Sequence, residues 1–161
     1  RTLLTTMKHI PDMIEKTLRY SEHIKIITTL YEGGYFDKKE IAIKSYNISP
    51  LTFTSKLLTD YWKLEPGERE FTVMRVTIKG KENKNKKTIV YDLYDEYDVK
   101  TGFSSMARTT GYTCTACANL VLKELFNEKG IFPLELVGKD ATCFNFVFEY
   151  LKKRGVRYTK R

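Results

Sequence analysis

EFTVMRVTIKGKENKNKKTIVYDLYDEY, residues 70–97, decides the fold class. Residues 70–78 alternate, with Thr72, Met74, Val76 and Ile78 on one side and Phe71, Val73, Arg75 and Thr77 on the other. Residues 88–97 alternate again, with Ile89, Tyr91 and Leu93 opposite Val90, Asp92 and Tyr94. Two period-two runs joined by a very polar segment predict a long β-hairpin, here with a mobile, lysine-rich loop over 79–87. Aromatic and β-branched residues on both sides imply a sheet covered at least partly on each face.

Working outward, the other elements read mostly as helices. KTLRY (16–20) alternates and predicts a short strand. Ser21 then caps a helix over 22–32 that Gly33-Gly34 ends. Ser49 before Pro50 opens a second helix to about Trp62, with Leu51, Thr54, Leu58 and Tyr61 inward. A third runs over 110–128 with Cys114, Cys117, Ala118, Val121 and Leu125 as its inner stripe and Gly130 beyond it. Asp140 caps a last helix with Phe144, Val147, Phe148 and Leu151 inward, ended by Gly155, and 156–159 forms a final short strand. The fold class is therefore α+β, a mostly antiparallel or mixed sheet with helices packed on it.

At 161 residues the chain is long enough for one domain with a real core. Its 42% hydrophobic and 30% charged residues are those of a globular protein, and no run of about 18 apolar residues excludes a helical membrane span. RTLLTTMKHI lacks the apolar stretch of a signal peptide and an initiator methionine, so the chain reads as a piece of something longer. An odd count of three cysteines without a secretion signal predicts a reducing, cytoplasmic setting. The Cys114-Thr-Ala-Cys117 spacing has no second pair, so both cysteines are expected as small buried hydrophobes, with no metal site. The net charge of +8 is concentrated in five lysines within 79–87 and six basic residues within 152–161. Such runs are normally solvated, and no zinc-finger spacing or RNA-binding signature accompanies them.

Two places carry recognition chemistry. Arg108-Thr109-Thr110-Gly111 stands directly before the third helix as read above. Free N–H groups, threonine hydroxyls, a glycine and an arginine fork there suit an anion or carboxylate. Plain capping by Thr109 or Thr110, with Arg108 facing solvent, accounts for the same residues. Arg19 in KTLRY is the second place, with an exposed strand arginine as its simpler account. No P-loop, GxGxxG or Ser-His-Asp set is present, and no general acid or base can be named.

RTLL (1–4), EKTLRY (15–20) with His23, SSMARTTGYT (104–113) and KGIFPLELVG (129–138) occur in order along the whole chain. Together they resemble the C-terminal domain of the saccharopine dehydrogenase family, and more closely its lysine 6-dehydrogenase-like branch. The opening resembles an Asp-Gly-Leu-Arg-Thr-Leu-Leu element of that branch. The chain departs from the family at Ser21-Glu22, where Pro-Gly is usual, and at Thr113, where proline is frequent.

The resemblance implies one C-terminal substrate-binding and dimerisation domain over 1–161, cut from a larger dehydrogenase, with 141–161 packing back on an absent Rossmann domain. That domain would bind NAD or NADP, none being bound by this chain, and the reaction would be hydride transfer at an amine-bearing carbon of a lysine- or saccharopine-like amino acid. By the same resemblance Arg1, Thr2, Arg19, Arg108, Thr109, Thr110, Gly111 and Tyr112 line the substrate pocket, and the protein is a homodimer. Alone, this chain would be inactive. The competing reading is a non-enzymatic basic module binding nucleic acid or an acidic protein through its lysine loop and tail.

Overall fold

A computed structural model describes residues 2–161, so the expectation for Arg1 lies outside the described residues. The chain divides into two compact units, residues 1–10 with 67–161, and residues 11–66.

In the first unit, a short helix α1 (Leu3–Thr6) opens the chain. The second unit contains helix α2 (Ser21–Glu32), the hairpin β1 (Ile41–Ile43) and β2 (Tyr46–Ile48), and helix α3 (Pro50–Tyr61). Ser49 caps α3 by accepting from the Thr52 N–H, and Pro50 fills its first turn, where a missing N–H costs nothing. Thr54 is buried as expected, but Tyr61 is 83% exposed. KTLRY forms no strand: it is irregular, and Ser21 is the first residue of α2 rather than its cap. Its alternation finds no neighbouring strand to pair with among the described residues, and a strand without a ladder is not stable. His23 packs against Trp62, ring centroids 4.9 Å apart.

The first unit continues with β3 (Phe71–Glu82), β4 (Asn85–Glu96), α4 (Ser105–Leu122), α5 (Leu134–Val137), α6 (Ala141–Lys153) and β5 (Tyr158–Lys160). The sheet order is β3-β4-β5, antiparallel throughout. The lysine-rich segment is no loose loop. The ladder runs to Glu82↔Asn85, and only Asn83 and Lys84 turn, both at positive φ (50 and 68°). That is the backbone a two-residue hairpin with the native twist requires.

Helices cover one face of this sheet. Thr72, Leu93, Asp95 and Tyr91 point to α4 and α6, as contacts from Ser105, Arg108 and Phe148 show. On the opposite face Val73 is 49% and Tyr94 60% exposed, and on the helix side Met74, Val76 and Ile78 of β3 are also exposed, so among the described residues the helices cover chiefly β4, less than the cover expected on both sides. The core has two clusters that share Val147: Leu93, Leu151 and Val156, and Leu120, Val137 and Cys143. Residues 141–160 thus pack as α6 on α4 and as β5 on β4. No helix among the described residues is long and apolar enough to cross a membrane.

Candidate functional site

Helix α4 begins five residues earlier than its apolar pattern implied. Ser104 is its cap, accepting from the Ala107 N–H at 3.0 Å, and Ser105 is fully buried in the first turn. The Ser105 hydroxyl donates to the Asp95 carbonyl at 2.9 Å and lies 2.8 Å from the Thr72 hydroxyl. Helix and sheet are thereby tied at their start. The consequence overturns the anion pocket drawn from sequence: Arg108, Thr109, Thr110 and Gly111 lie inside the helix, not before it. Past the first turn their N–H groups are committed to the helix ladder and offer nothing to an anion. The Thr109 hydroxyl donates to the Ser105 carbonyl at 2.8 Å, and that of Thr110 to the Met106 carbonyl.

Arg108 is 7% exposed and faces inward. Its Nε donates to both Asp95 oxygens at 3.1 and 3.3 Å, one terminal nitrogen to Asp98 at 2.9 Å, and the other to the Arg154 carbonyl at 3.2 Å and to Asp95 at 3.2 Å. One side chain joins α4, β4, the following loop and the C-terminal end of α6. The Asp95 carboxylate beside it holds the guanidinium even more firmly protonated than usual. The Lys100 N–H and Thr101, together with Arg108, hold the Asp98 carboxyl below the usual range. Gly155 completes the arrangement: at φ +84° a Cβ there would meet an Arg108 nitrogen at 3.1 Å. Tyr112 also turns inward, 5.8 Å from both the Arg108 and Arg154 guanidiniums and edge-on to Phe103.

The outward side of the same helix mixes small residues with exposed apolar ones, Met106, Val121 and Leu122. Thr110 and Gly111 are exposed, and a Cβ built on Gly111 would meet nothing within 4 Å. Cys114 is exposed too and Cys117 half-buried, so the inner stripe expected from sequence is displaced; Ala116 and Leu120 occupy it. Cys143, on α6, is the buried cysteine.

Between α4, α5, α6 and β5 lies an apolar cleft of about 410 Å³. Cys143, Leu151 and Val137 form its buried lining, with Phe144 and Phe148, stacked 4.3 Å apart, and Tyr158 beside them. Polar groups reach it from Thr113, Cys117 and Glu135. Burial pushes the Cys117 thiol and the Tyr158 phenol up, so both stay neutral at pH 7. Among the described residues, Glu135 is the one charged residue lining the cleft. Hydrogen bonds from Thr2 and Thr6, the latter at 2.7 Å, hold its carboxyl below the usual range. A lining of this make-up is suited to holding an apolar group, and its described residues include no activated nucleophile.

Of the residues expected at a site, Thr2 therefore lies beside the cleft, through Glu135. Arg108, Thr109 and Tyr112 are turned toward the fold, and Thr110 and Gly111 outward. Arg19 belongs to the second unit, exposed, with a terminal nitrogen donating to the Leu18 carbonyl at 2.8 Å. Glu135 and Thr113 were missed, although both stand within the quoted stretches 104–113 and 129–138.

A family model, the saccharopine dehydrogenase C-terminal domain, matches residues 2–156, and the chain belongs to that family. The family is one of NAD(P)-using oxidoreductases. The residues described here do not fit the dinucleotide itself. A pyrophosphate sits at a helix N-terminus that follows a parallel strand and a glycine-rich turn. Both sheets among the described residues are antiparallel, and the N-terminus of α6 is taken up by the Asp140 carboxylate, which accepts from the Cys143 N–H at 2.9 Å.

Proposed function

We propose that this domain is the substrate-binding part of an NAD(P)-dependent amino-acid dehydrogenase of the saccharopine or lysine 6-dehydrogenase type, the dinucleotide being held by a separate domain. One observation carries this: three stretches that resemble the family meet at one cleft. Thr2 and Thr6 bond Glu135, while Thr113 and the 134–138 segment line the hollow. These stretches lie far apart in sequence and converge on one hollow, and that convergence, with a carboxylate at its edge, supports its use as a site.

In this reading the cleft takes the aliphatic part of the amino acid and Glu135 faces an amine at its rim. Thr110 and Gly111, small and outward, give a flat surface on which the cofactor domain can seat. The resemblance to the family implies guanidiniums, those of Arg19 and Arg1, for substrate carboxylates, and the cleft reading does not depend on them. Holding the reacting carbon in position is a substantial part of catalysis. A homodimer remains part of the proposal. The chain by itself is inert.

Titration of the chain with saccharopine and with lysine, followed by amide chemical shifts, tests this. Shifts concentrated at Thr113 and 134–138 that disappear in Glu135→Gln support the reading. No shift there with either ligand, together with no nicotinamide reduction by a protein joining this domain to a dinucleotide-binding one, overturns it.

A further inference from the structure

The open face of the hairpin has a charge pattern that the cleft does not explain. On this face the register places Lys79 opposite Thr88 and Lys81 directly opposite Lys86. Like charges opposite one another on one face destabilise a hairpin. None of these three lysines has an ion pair among the described residues, whereas Lys87, on the other face, is paired with Glu82. Farther along the same face, Arg75 and Arg161 both reach one carboxylate, Asp92, at 2.6 and 2.5 Å. From that cluster to the tip there are five cations and one carboxylate, over roughly 20 Å of ladder at about 3.4 Å per residue. Glu96, the other acid on this face, lies at the far end, bonded by Tyr94.

The outer part of this ribbon, an arm from Ile78↔Ile89 to Glu82↔Asn85, pairs β3 with β4.

We infer that this arm is an interaction surface for duplex DNA, contacting phosphates through Lys79, Lys81 and Lys86. A two-stranded ribbon has the width that a major groove of about 12 Å admits. Lysines are point charges suited to phosphate, and counterion release favours a cationic stripe. The chemistry is unlike a protein interface, which is depleted in lysine and built on aromatic anchors. The tip, 79–88, holds only Lys, Gly, Glu, Asn and Thr. Nor does it offer an apolar residue to enter a bilayer. Guarding a free strand edge makes use of lysine; it does not call for Lys81 and Lys86 directly opposite one another on one face. The inference is independent of the cleft and its substrate.

The test is fluorescence anisotropy of the full chain with a labelled 20-base-pair duplex of mixed sequence, from 50 to 200 mM salt. Three phosphate contacts predict a log–log slope steeper than that of a Lys79→Gln/Lys81→Gln/Lys86→Gln variant by about 2.7. Lys86→Gln alone shifts the slope by about 0.9 and serves if the triple variant does not fold. A Lys123→Gln/Lys139→Gln/Lys153→Gln variant, with the same net charge, keeps the native slope. No binding at 50 mM salt, an equal loss in both triple variants, or tighter binding to phosphatidylserine vesicles or polyglutamate than to the duplex overturns the inference.

Discussion

Arg108→Met is the sharpest test of how this unit holds together. The substitution keeps most of the side-chain volume and removes the guanidinium that serves Asp95, Asp98 and the Arg154 carbonyl. Asp95 is 6% exposed and would be left as a buried carboxylate without its cation. Breaking a buried pair from one side costs about 3–5 kcal/mol. That is about a fifth or more of the roughly 5–15 kcal/mol by which a domain is stable. Urea unfolding at pH 7 should show a loss in this range. The hub also has a pH-linked part through Asp98: with a depressed folded pKa, that contribution is present above the unfolded value of about 3.9 and is lost as pH falls through the folded one. A second variant, Arg108→Met/Asp95→Leu, should recover much of the loss, because a buried pair replaced by apolar groups is often neutral. A cost below about 1 kcal/mol for Arg108→Met would refute the assignment of Arg108 as the hub.

Three further outcomes are expected. Gly111→Ala should stabilise the isolated chain by about 0.5–1 kcal/mol, since the position is helical and open; thermal melting would show a decrease if the glycine were needed for packing. Lys84→Gly should raise stability, because φ of 68° suits glycine better than lysine, and equilibrium unfolding would detect it. Asp140→Ala should lower the melting temperature and flatten its acid dependence near pH 3–4, because the Cys143 N–H holds that carboxyl below its usual range and its contribution exists only while it is ionised.

The hairpin was legible because both its strands alternate without interruption, and the caps of α3 and α6 because Ser49-Pro50 and Asp140 are unambiguous local signals. The start of α4 was not, for a specific reason. Its first inward residues are Ser105 and Arg108, polar types that a search for an apolar stripe skips, so the stripe was anchored on Cys114 instead. What buries Arg108 is Asp95, thirteen positions back on another element. No local pattern announces such a partner, although an acidic run ending a strand is a place to look for one. The β1–β2 hairpin was overlooked because it is three residues per strand, with a Lys44-Ser45 turn in place of Asn-Gly. KTLRY misled in the opposite way: it alternates, but alternation becomes a strand only when a neighbour supplies the ladder.

Helix α4 brings these threads to one test. Successive side chains leave a helix about 100° apart, so residues close in sequence meet different surroundings. Arg108 and Tyr112 turn into the hub, Thr113 and Cys117 line the cleft, and Thr110 and Gly111 look outward. Three neighbouring substitutions should therefore separate three properties. Arg108→Met should lower the unfolding free energy. Thr113→Val conserves shape, and its hydroxyl donates to the Thr109 carbonyl, a back-bond that helices do not need, so stability should change by less than about 1 kcal/mol while ligand-induced shifts at 134–138 move. Thr110→Arg should leave folding and cleft binding intact and weaken association with a dinucleotide-binding domain. If Thr110→Arg and Thr113→Val both unfold the chain as Arg108→Met does, the helix has a single structural role and the cleft is only an imperfection of packing.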